Sequence, residues 1–246
     1  MRVDLPVPSS ALAVGAHPDD IEFECGSTLA KWGAAGAAIH LLICTDGSKG
    51  TWDVDADTAV LIARRQAEQR EAARRIHPDA RVHFLGEVDG ELANTVELRG
   101  RVARVIRETT PDIVLGHDPW RRWRMHPDHR NAGFLTVDAV VAARDPQYHR
   151  EHMADGLIHH RPRALLLFEC EEPDHVERIE QRHVVAKVDA LLAHESQFET
   201  TMVIADDDDG TQAGAFRERT VREARNHGRI GGVGLGEAFR LMDPAS

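Results

Sequence analysis

The chain has 246 residues, 42% of them hydrophobic, with a formal charge of −11. That length suits one α/β domain over residues 1–246, and the apolar share supports a packed core. The acidic balance argues against nucleic acid as a partner, no run of about twenty apolar residues is present to span a bilayer, and the opening MRVDLPVPSS carries no apolar leader, so the cytoplasm is the expected location.

The first apolar run, residues 11–16, reads as a buried strand ending at His17. Residues 26–38 suit a helix closed by Gly36. Residues 39–45 form a second strand, followed by the turn Asp46-Gly47-Ser48-Lys49-Gly50. A helix over 58–76 has Leu61, Ile62, Ala72 and Ile76 on one face, and 81–86 is the third strand. Leu98, Val102, Val105 and Ile106 recur at helical spacing over 97–109, and 113–118 is the fourth strand, ending in His117-Asp118, a candidate pocket-wall pair or a plain loop. Pro127 suits the first turn of a helix running to about residue 143. His149, His152, His159 and His160 fall in a polar stretch that reads as a loop without a role. Residues 164–169 are a fifth strand, 179–194 a helix, 206–210 a solvated acidic turn, 212–226 the last helix, and a glycine-rich end follows. Cys25, Cys44 and Cys170 are odd in number and far apart, which fits reduced, mostly buried thiols.

Strands alternate with helices, so the fold class is α/β with a mostly parallel sheet and helices on both faces. Ligands in such sheets bind at the carboxyl ends of the strands. His17-Pro18-Asp19-Asp20 follows the first strand and His126-Pro127-Asp128-His129 follows the fourth, so both clusters share one sheet edge. His17 and Asp20 can meet on a tight turn while Asp19 points elsewhere, and His126 and His129 lie one helical turn apart. Three protein ligands and an open position are what a catalytic Zn²⁺ needs. In that chemistry Asp19 is free for proton transfer, or caps the next helix, or both. One histidine of the second cluster binds metal and the other serves the oxyanion or acts as an acid, with Asp128 holding His126 in the needed tautomer.

The segments AHPDDIE (16–22), TDGSKG (45–50), RQAEQREAA (65–73), DG (89–90), MHPDHRNAG (125–133), KVDALLAHESQF (187–198) and GEAF (236–239) resemble the PIG-L/LmbE-like family of zinc-dependent N-acetyl sugar deacetylases, in family order across most of the chain. The resemblance implies a Rossmann-like fold. It implies His17, Asp20 and His129 as ligands of one Zn²⁺ or another divalent transition metal, Asp19 as base, and His126 as carbonyl polariser or acid oriented by Asp128. It places Arg65 and Asp89 against the sugar. The expected substrate is a small N-acetylated amino sugar or glycoconjugate. The chain departs from the family's glycines at Glu24 and Ser27, expected to lie in the loop after the metal motif.

Several residues keep two readings. Arg65 is a substrate fork or a surface partner of Glu68 or Glu71, and Asp89 is a turn former or a sugar ligand. Asp46 points toward the same edge. Trp120 and Trp123 form a lid over the site or pack elsewhere, and His194-Glu195-Ser196-Gln197 reads as structural. A magnesium-dependent phosphoryl-transfer enzyme and a non-catalytic binding domain are the competing functions; the histidines count against magnesium. Oligomeric state is open, a homo-oligomer included.

Overall fold

The computed structural model describes residues 1–245. In chain order the elements are β1 (Arg2–Val3), β2 (Ser10–Gly15), α1 (Asp20–Ala34), β3 (Ala38–Thr45), α2 (Thr58–Ile76), β4 (Arg81–Glu87), α3 (Val96–Thr109), β5 (Ile113–His117), α4 (Pro127–Arg144), α5 (Arg150–Ala154), β6 (Ala164–Phe168), β7 (His175–Arg178), α6 (Gln181–Leu191), α7 (Thr211–Ile230) and β8 (Gly236–Met242). A 3₁₀ turn (Glu195–Gln197) and a π turn (Phe198–Met202) lie between α6 and α7.

The strands form one sheet in the order β1-β7-β8-β6-β5-β2-β3-β4. All pairs are parallel except those of β8, which runs antiparallel to β6 and β7. Every residue of β2 is buried, as expected for a central strand covered on both faces. Its side chains alternate between two cores. Ala11 and Ala13 join Leu41, Ile43, Leu29 and Ala72 under α1, α2 and α6. Leu12 and Val14 join Leu42, Val102, Ile106 and Leu135 under α3 and α4. The chain runs outward from β2 to β3 and β4, then returns to build β5 and β6 on the other side. The order therefore reverses between β2 and β5, the place where such sheets open a ligand crevice.

Close approach fixes the element that carries the second histidine cluster. A Cβ on Gly116 of β5 would stand 2.8 Å from Thr136 Cγ2, and one on Gly133 of α4 would stand 2.7 Å from the His117 carbonyl oxygen. Only glycine lets α4 lie this near the end of β5.

Several expectations change at the boundaries. α1 starts at Asp20, inside the first motif, so Glu24 and Ser27 lie on a helix and not in a loop. Gly36, at φ +96°, ends the segment as expected. Residues 150–154 are helical, and His152 is buried against Arg107, whose Nη1 lies 2.9 Å from its Nδ1. The glycine-rich end divides: Gly228 lies in the last turn of α7, the next glycines form a turn, and β8 starts at Gly236, with the Glu237 side chain drawn inward. Its carboxylate accepts the Ser27 and Thr28 amides (3.1 and 2.7 Å) and the Lys187 ammonium (2.8 Å). Burial works to lower Lys187, and Glu237 outweighs it, holding the lysine above its ordinary value. Glu237→Ala would leave Lys187 charged and unpaired in the interior. A loss of about 3–5 kcal/mol is expected, read from urea unfolding.

The thiols are free, with Cys25 and Cys44 buried and Cys170 half-buried. In the acidic turn, Asp208 accepts the amides of Gln212 and Ala213 at the start of α7.

Candidate metal centre and catalytic cleft

The first loop follows from one hydrogen bond. The His17 amide donates to Asp20 Oδ2 (2.8 Å), which folds the turn and brings His17 Nδ1 to 3.4 Å from the same oxygen. Asp19 takes the strain of that turn at φ +92°, a region that side-chain-bearing residues rarely adopt. Its amide donates to Gln69 Oε1 (3.1 Å). It stands at the N-cap of α1, yet its carboxylate makes no capping bond and faces Arg65 Nη2 at 3.7 Å. Gln69 is itself held by the buried Glu22, so α1 and α2 together set the backbone under Asp19.

The second loop is set by α4. His126 is the N-cap, and its Nδ1 accepts the Asp128 amide (3.3 Å). That bond leaves Nε2 to carry the hydrogen of the neutral ring. His126 and His129 stack with centroids 4.9 Å apart, and His17 lies 4.6 and 5.2 Å from them. His129 Nε2 is 3.4 Å from Asp20 Oδ1. His17, Asp20 and His129 each offer a donor atom, all within 4.8 Å of one another. The two 3.4 Å separations, His17 Nδ1 to Asp20 Oδ2 and His129 Nε2 to Asp20 Oδ1, are each close to the ~3.3 Å donor–donor distance set by ~2.0 Å zinc bonds, with one imidazole on each oxygen of the carboxylate. Two imidazoles and one carboxylate are a donor set for a transition ion such as zinc and a poor one for magnesium.

Carboxylates behind the three candidate donors shape their chemistry. His17 Nε2 lies 3.2 Å from both Asp89 Oδ1 and Asp128 Oδ2. Asp128 was expected to orient His126, but its carboxylate instead meets His17 and accepts the amides of Gly90 and Leu92. The reason is helical geometry: residues 126 and 129 share a face, and residue 128 points away from it. An outer carboxylate of this kind fixes a metal-binding imidazole by taking its other N–H. Burial works to lower His17, but Asp128, Asp20 and Asp89 outweigh it and hold the ring well above its ordinary value. Burial works to raise Asp20, but His129, His117 and His17 keep it well below the usual carboxylate range. Burial pushes Asp19 up to about 6 against the pull of Arg65. Burial, with His17 and His129 nearby, lowers His126 and favours its neutral form.

A second group behind the ligands carried little sequence signal. His117 is fully buried, with Nε2 3.3 Å from Asp20 Oδ2 and Nδ1 2.8 Å from Glu169 Oε2. Glu169 follows β6 and was not singled out in the sequence. Its position at the carboxyl end of a parallel strand is the one cue that marks it.

A cleft of about 340 Å³ opens over this centre, lined by His17, Asp19, Asp20, Arg65, Asp89, His126 and His129 together with Lys49, Gly50, Gly90, Gln197 and Thr201. Arg65 is no surface ion pair: it is 3% exposed, and its fork donates to the carbonyls of Gly47 (2.9 Å) and Pro18 (2.8 Å). Glu68 is taken by Arg64 instead. Asp89 accepts the Lys49 amide (3.1 Å), and Asp46 accepts the amides of Ser48 and Asp89, so Asp46 braces the loops beside the cleft without lining it. Trp123 is 86% exposed and does not line the cleft, while Trp120 packs edge-on against Phe134. In the segment read as structural, His194 is buried beside Glu22 (3.7 Å), and Gln197 donates to Gly50 O at the cleft wall. Glu24, one turn after Asp20, is pushed up to about 8 by burial and by Glu169.

A family model described as PIG-L, GlcNAc-PI de-N-acetylase, matches residues 12–140. The chain is 37% identical over 187 residues to a diacetylchitobiose deacetylase of Thermococcus kodakarensis, covering 76% of this chain and 69% of that protein. It is 32% identical over 161 residues to a 1D-myo-inositol 2-acetamido-2-deoxy-alpha-D-glucopyranoside deacetylase of Rhodococcus jostii, covering 56% of this chain and 55% of that protein. Among solved structures, the N,N'-diacetylchitobiose deacetylase of Pyrococcus horikoshii superimposes with a TM-score of 0.85 at 28% identity, over 97% of this chain and 85% of that one.

Proposed function

The chain belongs to the PIG-L family of GlcNAc-PI de-N-acetylases, and from that premise we propose that it hydrolyses the N-acetyl group of a GlcNAc-type amino sugar or its conjugate, using one divalent ion, Zn²⁺ in the first instance. The observation that carries this reading is the meeting, in one cleft at the sheet's reversal point, of the His17–Asp20–His129 donor set with Asp19 and His126. The relatives named above act on N-acetylated sugars, which supports the substrate class.

His17, Asp20 and His129 would hold the ion, which when bound would supply Lewis acidity and lower the pKa of the attacking water. The remaining work belongs to the chain. Asp19 accepts the proton of the attacking water. The neutral His126 donates its Nε2 hydrogen to the carbonyl oxygen as that oxygen gains charge. Asp19 then returns its proton to the departing nitrogen, and the C–N bond breaks to give acetic acid and a free amine, which exchange the remaining proton to leave acetate and the ammonium. Asp89 and Lys49 on the cleft wall are our candidates for meeting sugar hydroxyls, Arg65, its fork taken by the Gly47 and Pro18 carbonyls, braces the wall beside Asp19, and Asp46 supports these loops. Trp123 can contribute only to a longer substrate that extends past the rim.

The test is acetate release from N,N'-diacetylchitobiose and from GlcNAc-inositol by the zinc-loaded protein. No acetate from either, with zinc bound, would favour a non-catalytic binding domain. Bound magnesium in place of zinc on elemental analysis would favour the phosphoryl-transfer reading. A pH profile adds a second check. Asp19 must be ionised to act, and the charge of a bound ion pulls its pKa down from about 6. The rate should therefore rise with pH along a limb centred at or below about 6, and Asp19→Asn should abolish that limb.

A further inference from the structure

We propose that Glu169 is the positioning residue of the metal centre: it holds the imidazoles of His129 and His117, and through them sets where the donor atoms of His129 and Asp20 lie. This rests on His17, Asp20 and His129 being the ligands.

Glu169 stands behind His129 and does not line the cleft. It is the residue immediately after β6, whose last register pair is Phe168 with His117, so the two side chains leave neighbouring strand ends together. Its backbone is left-handed at φ +55°. A non-glycine residue is rarely held there and persists where its surroundings require it.

The contacts converge on one oxygen. Glu169 Oε2 lies 2.8 Å from His117 Nδ1 and 3.6 Å from His129 Nδ1, and it also receives Arg124 Nη1. Oε1 receives Arg121 Nη1 at 3.2 Å. On the far side of His117, Nε2 meets the Ala16 amide (3.3 Å), while Nδ1 meets Glu169. His117 is thereby pinned from both sides, with its Nε2 edge 3.3 Å from Asp20 Oδ2. On His129, Nε2 faces Asp20 Oδ1; Nδ1 lies 3.6 Å from Glu169 Oε2, an ion-pair and not a hydrogen-bond distance, and 2.9 Å from Arg124 Nη1, which Glu169 itself holds. A ligand imidazole whose second nitrogen meets a carboxylate is the arrangement by which outer groups fix ring orientation. Arg121 and Arg124 precede His126 in the chain, so the same carboxylate also draws that loop onto the end of β6. Asp128 and Asp89 serve His17 in a comparable way, which leaves Glu169 as the carboxylate serving the other two ligands.

A staple that only anchored the loop would act through the arginines alone, and the test separates the two roles. Zn²⁺ affinity would be measured by chelator competition at fixed pH, with Co²⁺ absorption as a reading of ligand geometry, on wild type, Glu169→Ala, Glu169→Gln, Arg121→Ala and His129→Ala. The metal-free melting temperature would be recorded for each. Glu169→Ala should bind Zn²⁺ about 10–100-fold more weakly with an altered Co²⁺ spectrum, and Glu169→Gln about 10-fold more weakly. Arg121→Ala, which removes only the Oε1 contact, should bind as wild type. Unchanged affinity and spectrum in Glu169→Ala would overturn the proposal, whatever happens to the melting temperature. Should the alanine variant not fold, wild-type affinity in Glu169→Gln would overturn it instead. A wild-type chain without Zn²⁺ affinity, or a His129→Ala variant that binds like wild type, would overturn the ligand assignment and this inference with it.

Discussion

Replacing Asp19 with alanine should leave the metal bound and lower kcat by ~10²–10⁴-fold, the range general acid–base catalysis contributes. Three features support a specific loss. The carboxylate makes no capping bond, so α1 does not need it. The backbone under it is held by the Gln69 contact to its amide, which any side chain preserves. Its pKa is raised to about 6 by burial, where a carboxylate is basic enough to take a proton and still ionised at neutral pH. Steady-state acetate release and metal content on the same preparation read both halves. Full activity with metal bound would remove Asp19 from the mechanism.

Asp20→Ala and His129→Ala should behave in the opposite way, losing the ion and with it all turnover. Each removes one of three donors, so the fall in affinity should exceed the ~10–100-fold of an outer-group change. The pH dependence of binding offers an internal check. In the metal-free protein Asp128, Asp20 and Asp89 outweigh burial and hold His17 well above its ordinary pKa, which favours the protonated ring. Binding must displace that proton, and affinity should therefore rise with pH in the neutral range, with protons released on uptake. Calorimetry in buffers of different ionisation enthalpy measures that release. Wild-type affinity in either variant would dissolve the proposed centre.

Much of this centre was legible in the sequence because its parts lie next to landmarks. The apolar run ending at His17 and the Pro127 helix start placed both clusters at strand or helix ends, and the strand–helix alternation put those ends on one edge. Residues whose partners are distant in the chain were less legible. Glu169 meets His117 52 positions away, and no local period marks it. β7 has only four residues, and β8 follows a glycine-rich stretch and itself opens with glycine, so strands there are specified by their neighbours. Arg65 sits among charged residues on α2 and reads as exposed until the 46–50 loop is seen folded over it. Adjacency in the chain points Asp128 at His126, whereas helical direction turns its carboxylate to His17.

The left-handed backbone at Asp19 has an evolutionary side. Glycine adopts φ near +92° freely, so Asp19→Gly would relieve the conformational penalty at this turn. Fold stability and turnover thus make opposing demands on a single codon. A lineage that ceased to need the reaction would be free to drift toward the relaxed residue, whereas one under selection for it must retain the carboxylate and offset its penalty elsewhere in the fold.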